Sequence, residues 1–208
     1  MKKRTLSVLI TVVMLIGMLP TAVFVEGTTP YDLWVGGVQV TSANKDNIVV
    51  PGATGSATYD PETCTLTLDN FNYTGEGYVY DSPWCAAIFS KNDLIVKVVG
   101  SNTVTASVTD PYTAEALNVW GALTITGDSG SSLTLTGAGR EGVDCGGNLK
   151  IENVTVNATG TSGLSSSEGN ITINNAIVNA VGNGDNAIYS TKAVSITNSS
   201  VTATAPSG

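Results

Sequence analysis

The side chains that could do chemistry in this chain are carboxylates, a few lysines, two arginines and tyrosines, because histidine is absent. That absence excludes Ser/His and Cys/His nucleophile systems, histidine bases and most catalytic zinc sites. A glycoside hydrolase needs two or three carboxylates converging at fixed separations. Asp144 and Glu152, with Asp128 before them, come nearest, but the aligned positions further along carry Ser and Asn. A polysaccharide lyase needs a cation beside the sugar carboxylate and a base for the α-proton, usually with bound calcium. Arg140, Lys150 and Lys192 are the candidate cations. Arg140 and Glu141 with Asp144 read either as the remnant of such a site or, preferably, as a solvated charged turn. No catalytic residue is assigned. No cofactor is expected, with calcium left open.

Binding chemistry is better represented. Of 13 aromatic residues, 11 fall between positions 31 and 120, and only Tyr189 lies beyond them. Sugar rings present apolar C–H faces that stack on Trp and Tyr while the polar tips stay wet. The stretch Tyr73-Thr-Gly-Glu-Gly-Tyr-Val-Tyr-Asp-Ser-Pro-Trp84 combines glycines and aromatics as an exposed loop would. Tyr78, Tyr80 and Trp84 are the first candidates for ligand contact, and Trp120 is the next. The competing reading is that Trp34, Trp84 and Trp120 plug the junction between the N-terminal cap and the first turns.

These residues have to be positioned by strands. Residues 148–159, 170–181 and 193–204 align without gaps, and the columns Leu149/Ile171/Val194, Ile151/Ile173/Ile196 and Val156/Val178/Val201 alternate with polar positions. Alternation at period two marks strands with one buried face. A repeat of 22 to 23 residues is too short for a crossover helix. The pattern extends backwards through Leu123 and Leu94, with turn starts at Ile88, Leu117, Val143, Leu164 and Ile188, spaced 29, 26, 21 and 24. The two longest turns predict extruded loops at 106–115 and 127–131. Short strands that bury β-branched residues and bond to the turn above make a β-solenoid. Asn153, Asn175 and Asn198 recur just after the second strand, where a sharp corner favours Asn and its amide can bond along a stack.

Residues 1–27 read as a secretory signal: Lys2, Lys3 and Arg4 precede an apolar run from Leu6 to Leu19 that is too short to span a membrane. Its removal also takes Glu26 and leaves 6 basic against 16 acidic side chains, a net of −10. So acidic a chain lacks the basic patch that nucleic acid requires. Of the three cysteines, Cys64 and Cys85 are the one pair near enough in sequence to suggest a bridge, with three small buried side chains as the alternative. Cys145 falls on an apolar repeat position and reads as core. Ahead of the repeats, Leu33 to Thr41 and Ala57 to Asp69 read as hairpins turning at Gly36-Gly37 and Asp60-Pro61. They form an N-terminal cap over residues 28–85, and the turns occupy 86–208. The last strands have no partner turn within the sequence, so further turns and a cap beyond residue 208 are expected, and the isolated chain is expected to associate end to end or to fray over its last turn.

The phrases Tyr31-Asp-Leu-Trp-Val-Gly-Gly-Val-Gln-Val-Thr41, Ala57-Thr-Tyr-Asp-Pro-Glu-Thr-Cys-Thr-Leu-Thr-Leu-Asp-Asn70 and Gly100-Ser-Asn-Thr-Val-Thr105 occur in that order. They resemble the start of extracellular right-handed parallel β-helix proteins of anaerobic Gram-positive bacteria, commonly labelled carbohydrate-binding or pectate-lyase-like. The resemblance covers nearly all of residues 30–208 and implies an all-β, right-handed parallel β-helix with an N-terminal β-hairpin cap. The functional expectation is a secreted or cell-surface, non-catalytic module that binds a polysaccharide or a host or cell-wall glycan. A lyase or hydrolase whose catalytic turns lie outside this chain, and a structural stalk, are the alternatives.

Overall fold

The computed structural model describes residues 27–206, so the signal segment lies outside the described residues. Twenty strands follow one another, and no helix occurs among the described residues. The N-terminal cap holds β1 (Pro30–Val35), β2 (Val38–Thr41), β3 (Thr54–Asp60), β4 (Thr65–Gly75) and β5 (Tyr78–Asp81). Five turns of three strands each follow. The first has β6 (Trp84–Ser90), β7 (Leu94–Val99) and β8 (Ser101–Ala106), and the second has β9 (Thr113–Val119), β10 (Leu123–Gly127) and β11 (Ser132–Thr136). The third has β12 (Val143–Cys145), β13 (Leu149–Glu152) and β14 (Thr155–Gly160), and the fourth β15 (Leu164–Ser166), β16 (Ile171–Asn174) and β17 (Ile177–Gly182). The last has β18 (Ile188–Ser190), β19 (Val194–Thr197) and β20 (Ser200–Thr204).

Corresponding strands of successive turns pair in parallel, which makes the chain a β-solenoid with three stacked columns. The register is the one read from the repeats. Leu123, Leu149, Ile171 and Val194 share one row, and Ile125, Ile151, Ile173 and Ile196 share the next. Ile88, Leu117, Val143, Leu164 and Ile188 head the turns in a third row. Every residue of these rows from Ile88 through Ile173 is buried, because the alternating strands present one side chain in two to a dry interior. Cys145 and Cys85 are buried as well, Cys64 is partly exposed, and all three are free thiols, so the suggested Cys64–Cys85 bridge is not formed.

The corners are built as the asparagines suggested. Asn153, Asn175 and Asn198 all adopt the left-handed backbone, with φ of 58°, 51° and 49°. Asn175 Nδ2 donates to Asn153 Oδ1 at 2.8 Å. Two further ladders were not singled out in the sequence: Asn179 Nδ2 donates to Asn157 Oδ1 at 2.7 Å, and Asn170 Nδ2 to Asn148 Oδ1 at 3.3 Å. In a parallel stack, identical amides lie one above another and each can donate to the next.

Both expected hairpins form. β1 and β2 turn at Gly36 and Gly37, whose φ of 56° and 79° favours glycine. β3 and β4 pair antiparallel. β4 does more than cap: its first half pairs in parallel with β7 and its second half with β8, so it is the base layer of two columns. β1 closes the third column by lying antiparallel on β6. Leu33, Val35, Val40, Ile48 and Val50 fill that mouth of the coil.

At the far end, Val194 and Ile196 continue buried rows but are 46% and 49% exposed. Their turn also offers a free backbone edge to solution among the described residues, a template for added strands. We expect the isolated chain to associate end to end or to fray there. Amides of residues 194–204 should then exchange much faster than those of residues 149–158. Equal protection in a stable monomer, by sedimentation and hydrogen exchange together, would show this end to be closed.

Candidate functional site

Side chains of the β6 column alternate between the coil interior and the outside, so each buried residue has an outward neighbour. Phe89, Asn118, Asp144, Ser165 and Tyr189 form the outward row beside the buried Ile88 row. Glu115 stands in register with Ala86 on the same column. The link between β11 and β12 runs alongside. Its Glu141 and Gly142 carbonyls accept from the Ala116 and Leu117 amides at 3.3 and 3.2 Å. Where these elements meet the β5–β6 hairpin, a groove of about 280 Å³ opens, lined by Tyr80, Asp81, Trp84, Asn118, Trp120, Arg140 and Asp144. That volume is near the lower end of small-molecule sites, which run from about 300 Å³ upward.

Phe89 organises the aromatic wall. Tyr80 stacks on it at 4.8 Å and 5°, while Trp120 meets it edge-on at 5.3 Å. Trp84 and Trp120 remain 41% and 53% exposed, whereas Trp34 is 7% exposed. The plug reading therefore holds for Trp34, but Trp84 and Trp120 face solvent. Of the four expected contact residues, Tyr80, Trp84 and Trp120 line the groove. Tyr78 lies flat on Trp34 at 4.3 Å and 14°, in the adjoining cluster and outside the groove lining. The stretch Tyr73 to Trp84 is not the exposed loop expected from its composition. Tyr73 is buried at the end of β4, and β5 forms a hairpin with β6. Tyr78 and Tyr80 are two apart, so one strand face carries both onto Trp34 and Phe89.

Beneath the aromatics lies an ionic cluster in place of the preferred solvated turn. Glu115 is fully buried and pairs with Arg140 Nε. The Tyr80 hydroxyl donates to the same Glu115 Oε1 at 2.9 Å. Arg140 also approaches Glu141 Oε2 at 3.5 Å, and its guanidinium lies 5.1 Å from the centre of the Trp84 ring. Glu115 Oε2 and Glu141 Oε2 are buried without a hydrogen-bond partner. A carboxylate enters so dry a place only with a cation to hold it, which is why Arg140 folds inward. Burial raises the pKa of Glu115 despite the opposing pull of Arg140 and Tyr80. It also raises that of Asp144, with the Glu141 charge adding to the effect while a Ser165 hydrogen bond and Arg140 oppose it. Burial pushes Tyr80 up and carries the Cys145 thiol to about 12, which leaves it unreactive at neutral pH.

The raised carboxylates set the sign of a pH effect. The folded chain holds these protons more tightly than the unfolded chain does. Their contribution to stability is therefore greatest at or below the ordinary carboxylate pKa and is lost as pH rises through the raised folded values. Tm should fall as pH is raised through that window, and Asp144→Asn should flatten the slope. An unchanged slope in the variant would exclude Asp144 as a source.

A larger depression of about 740 Å³ lies under the extruded 127–131 loop, above the Asn153/Asn175/Asn198 corner. No aromatic lines it and Asp128 is its one carboxylate, so it offers a sugar face nothing to stack on. Among the described residues, no three acidic or thiol side chains gather to hold a metal ion.

The sequence reading missed Glu115 and Asn118 and set Asp144 aside. A signal was available: Glu115 and Glu141 each stand two positions before a turn-starting residue, Leu117 and Val143. Comparison with family models, with curated proteins and with solved structures finds no match to this chain.

Proposed function

We propose that this chain is a secreted or cell-surface, non-catalytic β-solenoid module that binds a glycan in the groove beside Phe89. The observation that carries the reading is the exposure of Trp84 and Trp120 on the walls of one groove, with hydrogen-bonding groups of Asn118, Arg140 and Asp144 between them. Indole faces left open to water at that cost are matched by the apolar face of a sugar ring, and the polar groups by its hydroxyls. The likeness of residues 30–208 to extracellular β-helix proteins supports the same reading. So does the signal-like segment at residues 1–27 for export.

One observation favours catalysis as a second reading. Asp144, its pKa raised in an open groove, resembles the general acid of a glycoside hydrolase. Such an enzyme needs a second carboxylate free to act as base or nucleophile. Glu115 is engaged by Tyr80 and Arg140, and Glu141 lies beside the same guanidinium. Binding without turnover is therefore preferred.

A glycan array probed with the purified chain, together with a reducing-end assay on every glycan retained, tests the proposal. Retention without new reducing ends is expected. Trp84→Ala and Trp120→Ala should each weaken retention about tenfold, or ~1.4 kcal/mol, with the β-sheet signal intact. New reducing ends would establish the hydrolase reading, and a blank array would leave a stalk.

A further inference from the structure

Resting on the groove reading, we propose that the preferred glycan carries free amino groups, a glucosamine-type sugar whose ammonium pairs with Asp144 while its ring stacks between the exposed indoles.

The charge balance of the groove argues for a cation. Four carboxylates, Asp81, Glu115, Glu141 and Asp144, line or back it, against the single guanidinium of Arg140. Arg140 is already spent, paired with Glu115, beside Glu141 and covered by the Trp84 ring. Lys91 sits over Trp34 and pairs with Asp32 outside the groove lining. Lys150 is taken by Glu152 on the neighbouring column. No basic side chain besides Arg140 lines the groove to receive a uronate, and like charges would repel it. The class of substrate implied by a pectate-lyase-like resemblance is the one this groove disfavours.

The second observation is the set of acceptors without donors. Glu115 is fully buried, yet its Oε2 has no hydrogen-bond partner, and Glu141 Oε2 has only the Arg140 guanidinium at 3.5 Å. Neither carboxylate is among the residues lining the groove, but the Glu141 charge acts on Asp144, and the excess of negative charge favours a cation there. Of these acids, Asp81 and Asp144 line the groove, and Asp144 is the one beside Arg140 and Glu141. The groups around it are Arg140 and Glu141 from the β11–β12 link, Ser165 from β15, Asn118 from β9 and Tyr80 from β5. Only Arg140 among them is cationic. A ligand ammonium would stabilise the ionised form of Asp144 and bring its pKa back down, so binding should release a proton over the pH range in which Asp144 titrates.

Titration calorimetry of the full chain with three oligosaccharides of equal length tests this. They are a glucosamine oligomer, its N-acetylated counterpart and a galacturonic acid oligomer. The glucosamine oligomer should bind at least about tenfold more tightly than the acetylated one, as expected for a charge-assisted hydrogen bond. This preference should shrink with added salt and with falling pH, and the galacturonate should show no binding. Asp144→Asn should bring the first two to equal affinity. Trp120→Ala should weaken binding of the glucosamine oligomer, which diffuse attraction of a polycation to an acidic surface would not reproduce. Equal affinity for the first two in the unmodified chain, or tightest binding of the galacturonate, would overturn the amino-sugar preference and leave the groove reading standing. If all three fail while the array retains another glycan, the preference falls alone. If the array is blank, the groove reading falls with it.

Discussion

Ile173→Asp abolishes folding. Ile173 is fully buried, stacked in register between Ile151 below and Ile196 above. A carboxylate there has no cation within the stack, and an uncompensated charge in a dry interior costs on the order of 3–5 kcal/mol or more. Single domains rarely hold more than about 5–15 kcal/mol in reserve. In a coil, moreover, a lost layer exposes the layers on both sides. The expected result is loss of the β-sheet signal and recovery of the protein as aggregate. Ile173→Val, which deletes one methyl group, should lower stability by only about 0.5–1.5 kcal/mol. A folded Ile173→Asp protein would mean that this row does not point inward.

The second large effect is expected at Arg140. Its removal strands Glu115, which is fully buried and whose Oε1 would keep only the Tyr80 hydroxyl. Breaking one side of such a pair typically costs ~3–5 kcal/mol, whereas replacing both partners by apolar residues of similar size is near neutral or stabilising. Arg140→Ala should therefore lower Tm sharply in chemical or thermal unfolding. Glu115→Leu combined with Arg140→Met should restore most of the loss. If Arg140→Ala unfolds like the parent chain, Glu115 is held neutral and Arg140 is an ornament of the surface.

The two effects mark how far the sequence could be read. The Ile173 row was legible because a parallel coil repeats its environment every turn, so period-two alternation and ungapped offsets of 22 and 23 residues fix both the face and the register of Leu149, Ile171 and Val194. The asparagine corners were legible for the same reason, since the backbone there demands the same residue at each turn. The Glu115–Arg140 pair was not, because its cation occurs once, although acids recur two positions before the turn starts at Leu117 and Val143. Glu115 and Arg140 are 25 positions apart and reach each other from successive turns, and no column repeats the arginine. Composition also misled at Tyr73 to Trp84, where glycines and tyrosines suggested a loop. Antiparallel pairing with β6 instead makes the segment a hairpin whose tyrosines cover Phe89 and Trp34. Trp84 and Trp120 are exposed, but the ionic floor beneath them is visible only in the stacked turns.

The glycan claim is tested most directly by tryptophan oxidation followed by peptide mass analysis, in the absence and presence of a retained polysaccharide. In the free chain, Trp84 and Trp120 should react with N-bromosuccinimide far faster than buried Trp34. With glycan bound in the groove, both should be protected together while Trp34 is unaffected. A polysaccharide that is retained by the chain yet leaves Trp84 and Trp120 oxidising at their free rates would contradict the groove as its site.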